Sequence, residues 1–260
     1  DLESCQSLKS LSYVSCSFPN FYQMSESKYF PKSLVDVNIS ETSVTSVDLS
    51  SQSDLETIIA TDNWLLGILG GLQLPVPGNN KLKNLSIENS PNAFNIGPDY
   101  FLYNDSIEML NISKTNASPL GTPTKFPTGL INMQSNDVAY WSSSVTFESC
   151  SKLQHVEIER CNLTDFALTD KTQTPAISPV RHVLAGQNEL LAFPTASSTI
   201  QGLSGLAAYD PNIYSNFNLE LLGCPYLQVL DLQDQTSSTV KGFTFLDLQK
   251  NRSLKILKAN

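Results

Sequence analysis

The residues with the clearest chemical potential in this sequence are its two histidines, His155 and His182. Each stands two residues after an aliphatic residue, Leu153 in one case and Val180 in the other, and opens a similar apolar pattern. If the two patterns fold alike, the imidazoles lie side by side and Glu157 shares their face. Two imidazoles and a carboxylate can bind a divalent metal ion, and imidazoles titrate near neutral pH. The same side chains also suit a solvated polar patch without a bound ion, and the spacing alone does not separate these interpretations.

The elements that would position these histidines belong to a pattern that recurs along the chain. Aliphatic residues occupy the first, fourth and sixth positions of each copy, and a small or amide residue usually occupies the ninth. Because a unit of about 25 residues cannot bury its apolar face alone, the copies are expected to stack and share one core. The pattern predicts about eleven rungs within a single domain, residues 1–260. The first positions are Leu8, Leu34, Leu55, Leu82, Ile107, Leu130, Leu153, Val180, Leu203, Leu227 and Leu254.

The residues that precede several rungs sharpen this interpretation. The stretch 147–158 resembles the BspA-type leucine-rich repeat of bacterial surface proteins, and 96–104 and 221–225 are similar to the return segments of that family. The stretch 47–58 resembles leucine-rich surface proteins of gut Bacteroidetes. The resemblance implies an α/β leucine-rich-repeat solenoid: a right-handed coil with a curved parallel sheet on its concave face and an irregular or short-helical convex side. It also implies an extracellular or cell-surface protein, anchored in the outer membrane through a segment outside this chain.

Composition limits the classes of partner. Lys and Arg number 16 against 25 Asp and Glu, which gives a net charge of −9. General nucleic-acid binding needs a basic footprint, and docking on anionic lipid needs basic clusters, so neither partner is expected. The longest apolar run, 64–74, is too short to span a bilayer. No direct membrane insertion is expected.

The run from Trp64 to Pro77 allows two interpretations. It is almost uncharged and rich in leucine. Such a segment can pack beneath the convex side as a return between rungs, or it can form an exposed apolar contact patch for a partner.

The sequence carries no sign of an enzyme or a cofactor site. Gly67, Gly70 and Gly71 lack the spacing and the lysine of a phosphate-binding loop. The glycines around Ser204 have the wrong spacing for a nucleophile elbow. Scattered carboxylates on a flat face also lack a pocket that would separate their pKa values for acid–base work.

The five cysteines follow the repeat. Cys16 and Cys161 occupy ninth positions, and Cys5, Cys150 and Cys224 each precede the first position of a rung by three residues. An odd count argues against a closed disulfide framework. Placement in step with the repeat predicts buried free thiols.

The candidate ligand-binding residues are polar side chains at positions of the rungs that point away from the core. The third, fifth and eighth positions are expected to form columns on the concave face, because equivalent residues of adjacent rungs lie roughly 5 Å apart. The columns are amide-rich and mildly acidic, and they hold few aromatic residues. The candidates are Asn111, Gln134, Asp137, His155, Glu157, Arg160 and His182.

These observations favour a binding protein whose concave face holds a protein or glycan ligand, in the manner of an adhesin or receptor. The alternative is a structural accessory subunit of an envelope assembly. The sequence stops at Asn260 within a rung. We therefore expect a longer protein, or an envelope partner that covers an open end of the solenoid, because exposed solenoid ends need capping.

Overall fold

A computed structural model of the chain describes residues 2, 4–16, 22–24, 30–67, 71–75, 81–92, 104–115, 124–138, 144–147, 149–161, 165–168, 179–186, 218–220, 226–233, 245–247 and 251–258. These residues form a parallel β-solenoid of stacked coils. They contain no helix, so within them the expected α/β class and the short-helical convex side are wrong. It follows that the described part of the chain has no helix that could cross a membrane.

The main sheet has ten short parallel strands, each placed at the third to fifth positions of a rung. In sheet order they are Ser10–Ser12 (β1), Asp36–Asn38 (β3), Thr57–Ile59 (β5), Asn84–Ser86 (β7), Met109–Asn111 (β8), Asn132–Gln134 (β10), His155–Glu157 (β12), His182–Leu184 (β14), Val229–Asp231 (β16) and Ile256–Lys258 (β18).

The predicted count of about eleven rungs is wrong. Leu203 was expected to begin a rung between those of Val180 and Leu227. Instead β14 pairs directly with β16, with His182 opposite Val229, so no strand of the main sheet separates them. The residues around Leu203 lie outside the described ranges. Their apolar pattern is the most degenerate of the series, and it does not add a strand to this sheet.

Shorter parallel sheets line the second side of the coil. One contains Tyr22–Met24 (β2), Val44–Asp48 (β4) and Gly71–Gln73 (β6), and another contains Thr124–Lys125 (β9), Ser144–Thr146 (β11) and Asp165–Ala167 (β13). A third pairs Asn218–Glu220 (β15) with Phe245–Asp247 (β17). The segment after Asn63 is mainly a return between rungs, because Leu66, Leu72 and Leu74 are buried, although Trp64 is 63% exposed.

The core between the two sides confirms the one-four-six pattern. First-position residues such as Leu55 and Leu130, and middle residues of the strands such as Ile58 and Met133, are fully buried. Burial of one such side chain contributes about 1.5–3 kcal/mol. On the second side Phe126 and Phe147 stack with ring centroids 4.7 Å apart. Repetition of this burial from coil to coil is what aligns the strands of the main sheet.

Seven of the described coils leave the main sheet through a residue in the left-handed region of φ. These residues are the eighth positions Ser15, Glu41, Asp62, Asn89, Lys114, Asp137 and Arg160, with φ between 52° and 58°. None is glycine. In each turn the backbone N–H donates to the carbonyl of the preceding position on the next coil, as from Lys114 to Asn136 at 2.7 Å. This bond continues the ladder of the sheet through the turn.

The ninth position forms a buried polar seam. The Asn63 Oδ1 atom accepts hydrogen bonds from the Thr42 backbone N–H and from Thr42 Oγ1, both at 2.8 Å. The Asn63 N–H donates to Ser90 Oγ at 3.0 Å, and Ser90 Oγ donates to the Ala60 carbonyl at 2.7 Å. Buried polar groups must be paired to be tolerated. Here the small and amide residues bond to one another between coils, and only Asn63 Nδ2 of this group is buried without a partner among the described residues.

The prediction of buried free thiols holds for two of the cysteines. Cys150 and Cys161 are free and buried, and burial raises the pKa of each thiol to about 12. The prediction is wrong for Cys5, which is exposed, and Cys16 is half-buried. Cys5 lies just before the first strand of the sheet, where no earlier described coil packs against it. Cys224 lies outside the described residues.

Candidate binding face on the main sheet

The pairing of β12 with β14 brings the two histidines together. His155 and His182 are directly opposite each other in the register. Their Nδ1 atoms lie 2.9 Å apart, and their ring centroids lie 4.5 Å apart at an interplanar angle of 73°. The predicted adjacency is confirmed. At this distance one Nδ1 carries a proton and donates, and the other accepts.

The surroundings of His155 favour its neutral form. Burial lowers the pKa of His155 below its usual range, and the positive potentials of His182 and Arg181 lower it further. The carboxylate of Glu157 does not offset these charges by contact with the rings. It accepts hydrogen bonds from Asn136 Nδ2 at 2.6 Å and from Gln134 Nε2 at 3.2 Å instead.

The histidine pair lies at one end of a shallow groove of about 580 Å³ that crosses β7, β8, β10, β12 and β14. We call the surface formed by the third and fifth positions of these five strands the open face; it is part of the face that the sequence predicts to be concave. The third positions are Asn84, Met109, Asn132, His155 and His182, and the fifth positions are Ser86, Asn111, Gln134, Glu157 and Leu184.

Most fifth-position side chains bond to their neighbours. Asn111 donates to Glu88 Oε2 at 3.1 Å, and its Oδ1 accepts from the Ser113 N–H at 3.1 Å. Gln134 donates to Glu157 on the next strand. The sequence-predicted residues Asn111, Gln134 and Glu157 therefore line the groove, but much of their hydrogen-bonding capacity is already used within the face.

The third-position amides have more capacity to spare. No hydrogen bond joins the side chain of Asn84 or Asn132 to another described residue. Between them Met109 is 47% exposed, which is unusual for an apolar side chain on this face. The sequence-based selection of candidates missed these three residues. Their place in the same column as His155 and His182 is the signal that identifies them.

Asp137 and Arg160 occupy a different place from the other five candidates. Both are eighth-position residues in the left-handed turns, outside the groove lining. Arg160 Nη2 donates to Asp137 Oδ2 at 2.9 Å, and Arg160 Nη1 donates to Glu159 Oε2 at 3.2 Å. The hydrogen bond with Arg160 lowers the pKa of Asp137, and the same contact raises that of Arg160. Their arrangement is that of an ion pair between coils.

Two second-position residues form an ion pair across β5 and β7. Lys83 Nζ lies 2.7 Å from Glu56 Oε2, and both side chains are more than a third exposed. Exposed pairs of this kind contribute about 0–1 kcal/mol.

No family model matches the sequence, and no curated protein or solved structure is significantly similar to it. Among the described residues, no three histidine, cysteine or acidic side chains are grouped so that they could hold a metal ion. Of the three candidate metal ligands His155, His182 and Glu157, only the two imidazoles lie together. The class that the structure supports is a parallel β-solenoid.

Proposed function

We propose that this chain is a binding protein whose open face holds a partner in the groove, in the manner of an adhesin or receptor. The observation that carries the proposal is the pair of side-chain amides of Asn84 and Asn132, which make no hydrogen bond to another described residue and lie on either side of the exposed Met109. These groups lie on a rigid sheet, where a ligand orders few side chains on binding.

The spacing of the two amides suits an extended polypeptide. Asn84 and Asn132 lie two strands apart, on β7 and β10 with β8 between them, so their Cα atoms are about 10 Å apart. An extended chain advances about 10 Å in three residues. Each primary amide offers a donor and an acceptor, which match the N–H and C=O of a peptide group. A peptide that crosses the strands would therefore meet one amide every third residue.

The remaining groove residues favour a protein ligand over a glycan. Met109 supplies a flexible, polarizable apolar contact of the kind that adapts to varied side chains. The described residues of the groove lining include no phenylalanine, tyrosine or tryptophan, and so offer no aromatic platform for a sugar ring. A glycan ligand remains the alternative within this class.

The proposed place of action is extracellular, at the cell surface. The repeat resemblance to BspA-type and Bacteroidetes leucine-rich surface proteins supports this location and an outer-membrane anchor outside the chain. The net charge of −9 also favours a protein partner over nucleic acid or an anionic membrane surface.

A displayed library of unstructured dodecapeptides, selected on the purified chain, tests the proposal. We expect selected peptides to lose at least about tenfold in affinity, or about 1.4 kcal/mol, on Asn84→Ala combined with Asn132→Ala, and to be excluded by Met109→Asp. Gln73→Ala is the matched control, because Gln73 is exposed on β6 in a different sheet. Peptides that bind every variant equally would refute the open face as the site. Binding to a glycan array that depends on the same residues would replace the protein ligand with a glycan.

A structural accessory subunit of an envelope assembly is the second candidate. It is favoured by Leu257 on β18, which is 44% exposed where the equivalent residues of the inner strands are buried. Ile256 beside it is 47% exposed, as Met109 is in the same column. A partner that pairs with this strand would cover both side chains. Gentle purification of the native protein from its source membrane distinguishes the two functions. A stoichiometric companion that protects β18 from hydrogen exchange supports the accessory role.

A further inference from the structure

We propose that His155 and His182 form a two-imidazole site for a transition-metal ion that prefers ligands at about 90° to each other, Cu²⁺ or Ni²⁺, with water in the remaining positions. The two Nδ1 atoms are 2.9 Å apart on adjacent strands of a parallel sheet. This inference goes beyond the proposed peptide site and does not rest on it.

The separation of the two nitrogens matches a particular coordination geometry. Metal–imidazole bonds are about 2.0–2.1 Å long. Two such bonds at a right angle place the nitrogens about 3.0 Å apart, as in the square-planar or octahedral complexes that Cu²⁺ and Ni²⁺ favour. A tetrahedral angle, which Zn²⁺ favours, requires about 3.4 Å. The pair therefore needs only a slight adjustment for Cu²⁺ or Ni²⁺ and a larger opening for Zn²⁺.

Binding of the ion requires only that one proton move from one nitrogen to the other within a single imidazole ring. Without metal, one ring holds a proton on Nδ1 and shares it with the Nδ1 of the other ring. When the ion binds, that proton moves to Nε2 of the same ring, so both rings stay neutral and both Nδ1 lone pairs point to the metal. No net proton is released, and no oxidant or reductant is required.

Within the part of the chain that the structure describes, the surroundings supply two protein ligands. Glu157, the closest acidic residue in sequence to His155, uses both carboxylate oxygens for Asn136 and Gln134. Asn132, Val156 and Leu184 are also among the residues that line the groove at this end. Coordination positions not used by the imidazoles therefore face the groove, where water completes them.

The experiment uses the whole chain and Cu²⁺ alone. Since the chain has only two histidines, any imidazole signal comes from this pair. Exposed thiols are first blocked with iodoacetamide, because free cysteine binds and reduces copper. We expect one Cu²⁺ per chain, with an electron paramagnetic resonance spectrum that shows coupling to two equivalent nitrogens.

Variants separate the pair from other sites. His155→Gln and His182→Gln should each lower Cu²⁺ affinity by about 10²-fold, since either change removes the chelate effect, whereas Gln73→Ala in the other sheet should leave it unchanged. The wild type should bind Zn²⁺ more weakly than Cu²⁺. Most protein sites show the same order of affinity, so the coupling of Cu²⁺ to two nitrogens is the decisive measurement.

Coupling to one nitrogen or none in the wild type would overturn the proposal even if the variants fail to fold. Cu²⁺ affinity that survives in a folded His182→Gln variant would also overturn it. The peptide selection proposed above is performed without metal, so failure of one proposal leaves the other standing.

Discussion

Arg160 extends back by one coil to Asp137 and contacts both oxygens of its carboxylate, with Nη2 2.9 Å from Oδ2. The two residues hold the same position in successive turns, and both have left-handed φ values, 54° and 57°. Residues 23 apart in sequence are thus held side by side by the turn geometry, and the ion pair follows from that alignment.

The first prediction concerns the strength of this ion pair and its dependence on pH. Asp137→Asn should lower the free energy of unfolding by less than about 1 kcal/mol near pH 7, because the side chains are 34% and 42% exposed and solvent screens the pair. The folded-state pKa of Asp137 lies below its ordinary value. Its contribution is therefore complete above the unfolded pKa of about 3.9 and is lost as pH falls through the folded pKa.

Urea unfolding of the wild type and Asp137→Asn at several pH values measures this effect. The two stabilities should converge as the pH falls below the folded-state pKa of Asp137. Arg160→Gln should give a similar loss, and the double variant should lose little more than either single one. A constant difference between wild type and Asp137→Asn at all pH values would show that the loss comes from packing.

The second prediction concerns the left-handed turns. Lys114 has φ of 54°, a conformation that costs an L-residue about 1–2 kcal/mol. Glycine avoids this cost but gains freedom in the unfolded chain worth about 0.5–1 kcal/mol. Lys114→Gly should therefore leave stability nearly unchanged, whereas the β-branched side chain in Lys114→Val should lower it by more than about 1 kcal/mol.

Thr57, in the third-position column of the same sheet, is the control for these two Lys114 variants. It lies in β5 in an extended strand. There the order should reverse, with Thr57→Val more stable than Thr57→Gly. Thermal unfolding of the four variants tests both orders, and a Lys114→Val variant as stable as Lys114→Gly would contradict the assigned turn.

The third prediction concerns the buried polar seam. Asn63 is fully buried and accepts two hydrogen bonds from Thr42. Asn63→Ala would leave the buried Thr42 N–H without this acceptor, at a cost of about 1–3 kcal/mol. Asn84→Ala removes an amide from the open face and should change stability by less than about 0.5 kcal/mol. Equal losses in the two variants, measured by urea unfolding, would show that the seam does not stabilise the coil.

The fourth prediction concerns thiol reactivity. Because burial raises the pKa of Cys150 and Cys161 to about 12, almost no thiolate is present near pH 8, and reagents lack access. Iodoacetamide should modify Cys5 and Cys16 in the native protein and should reach the two buried cysteines only after unfolding. Peptide mass spectrometry provides the measurement. Rapid native modification of Cys150 would reveal local opening of the core around it.

The sequence predicts the stacked coils well because the apolar residues that are buried recur at the same positions of each unit of about 25 residues. It places Leu110 and Met133 in the core and His155 beside His182, as the structure has them. It does not predict the short sheets of the second side, such as β9 with β11, because these strands have two or three residues and no lasting alternation.

The candidate site was predicted only in part, for a physical reason. Spacing shows which way a side chain points from a strand, but not which neighbour it bonds to. Gln134 and Glu157 face the groove as predicted and bond to each other, whereas the amide of Asn132 in the next column makes no hydrogen bond to another described residue. Asp137 was assigned to the face because the spacing gives no sign of its left-handed backbone.

Direct pairing of β14 with β16 has a consequence for how this molecule can change over time. The 44 residues between Leu184 and Val229 leave the sheet and return to it in register. The register of β14 with β16 is therefore set by the strands themselves and not by the length of chain that joins them. Mutations that lengthen or shorten this connection can thus accumulate in a lineage while the open face is inherited unchanged.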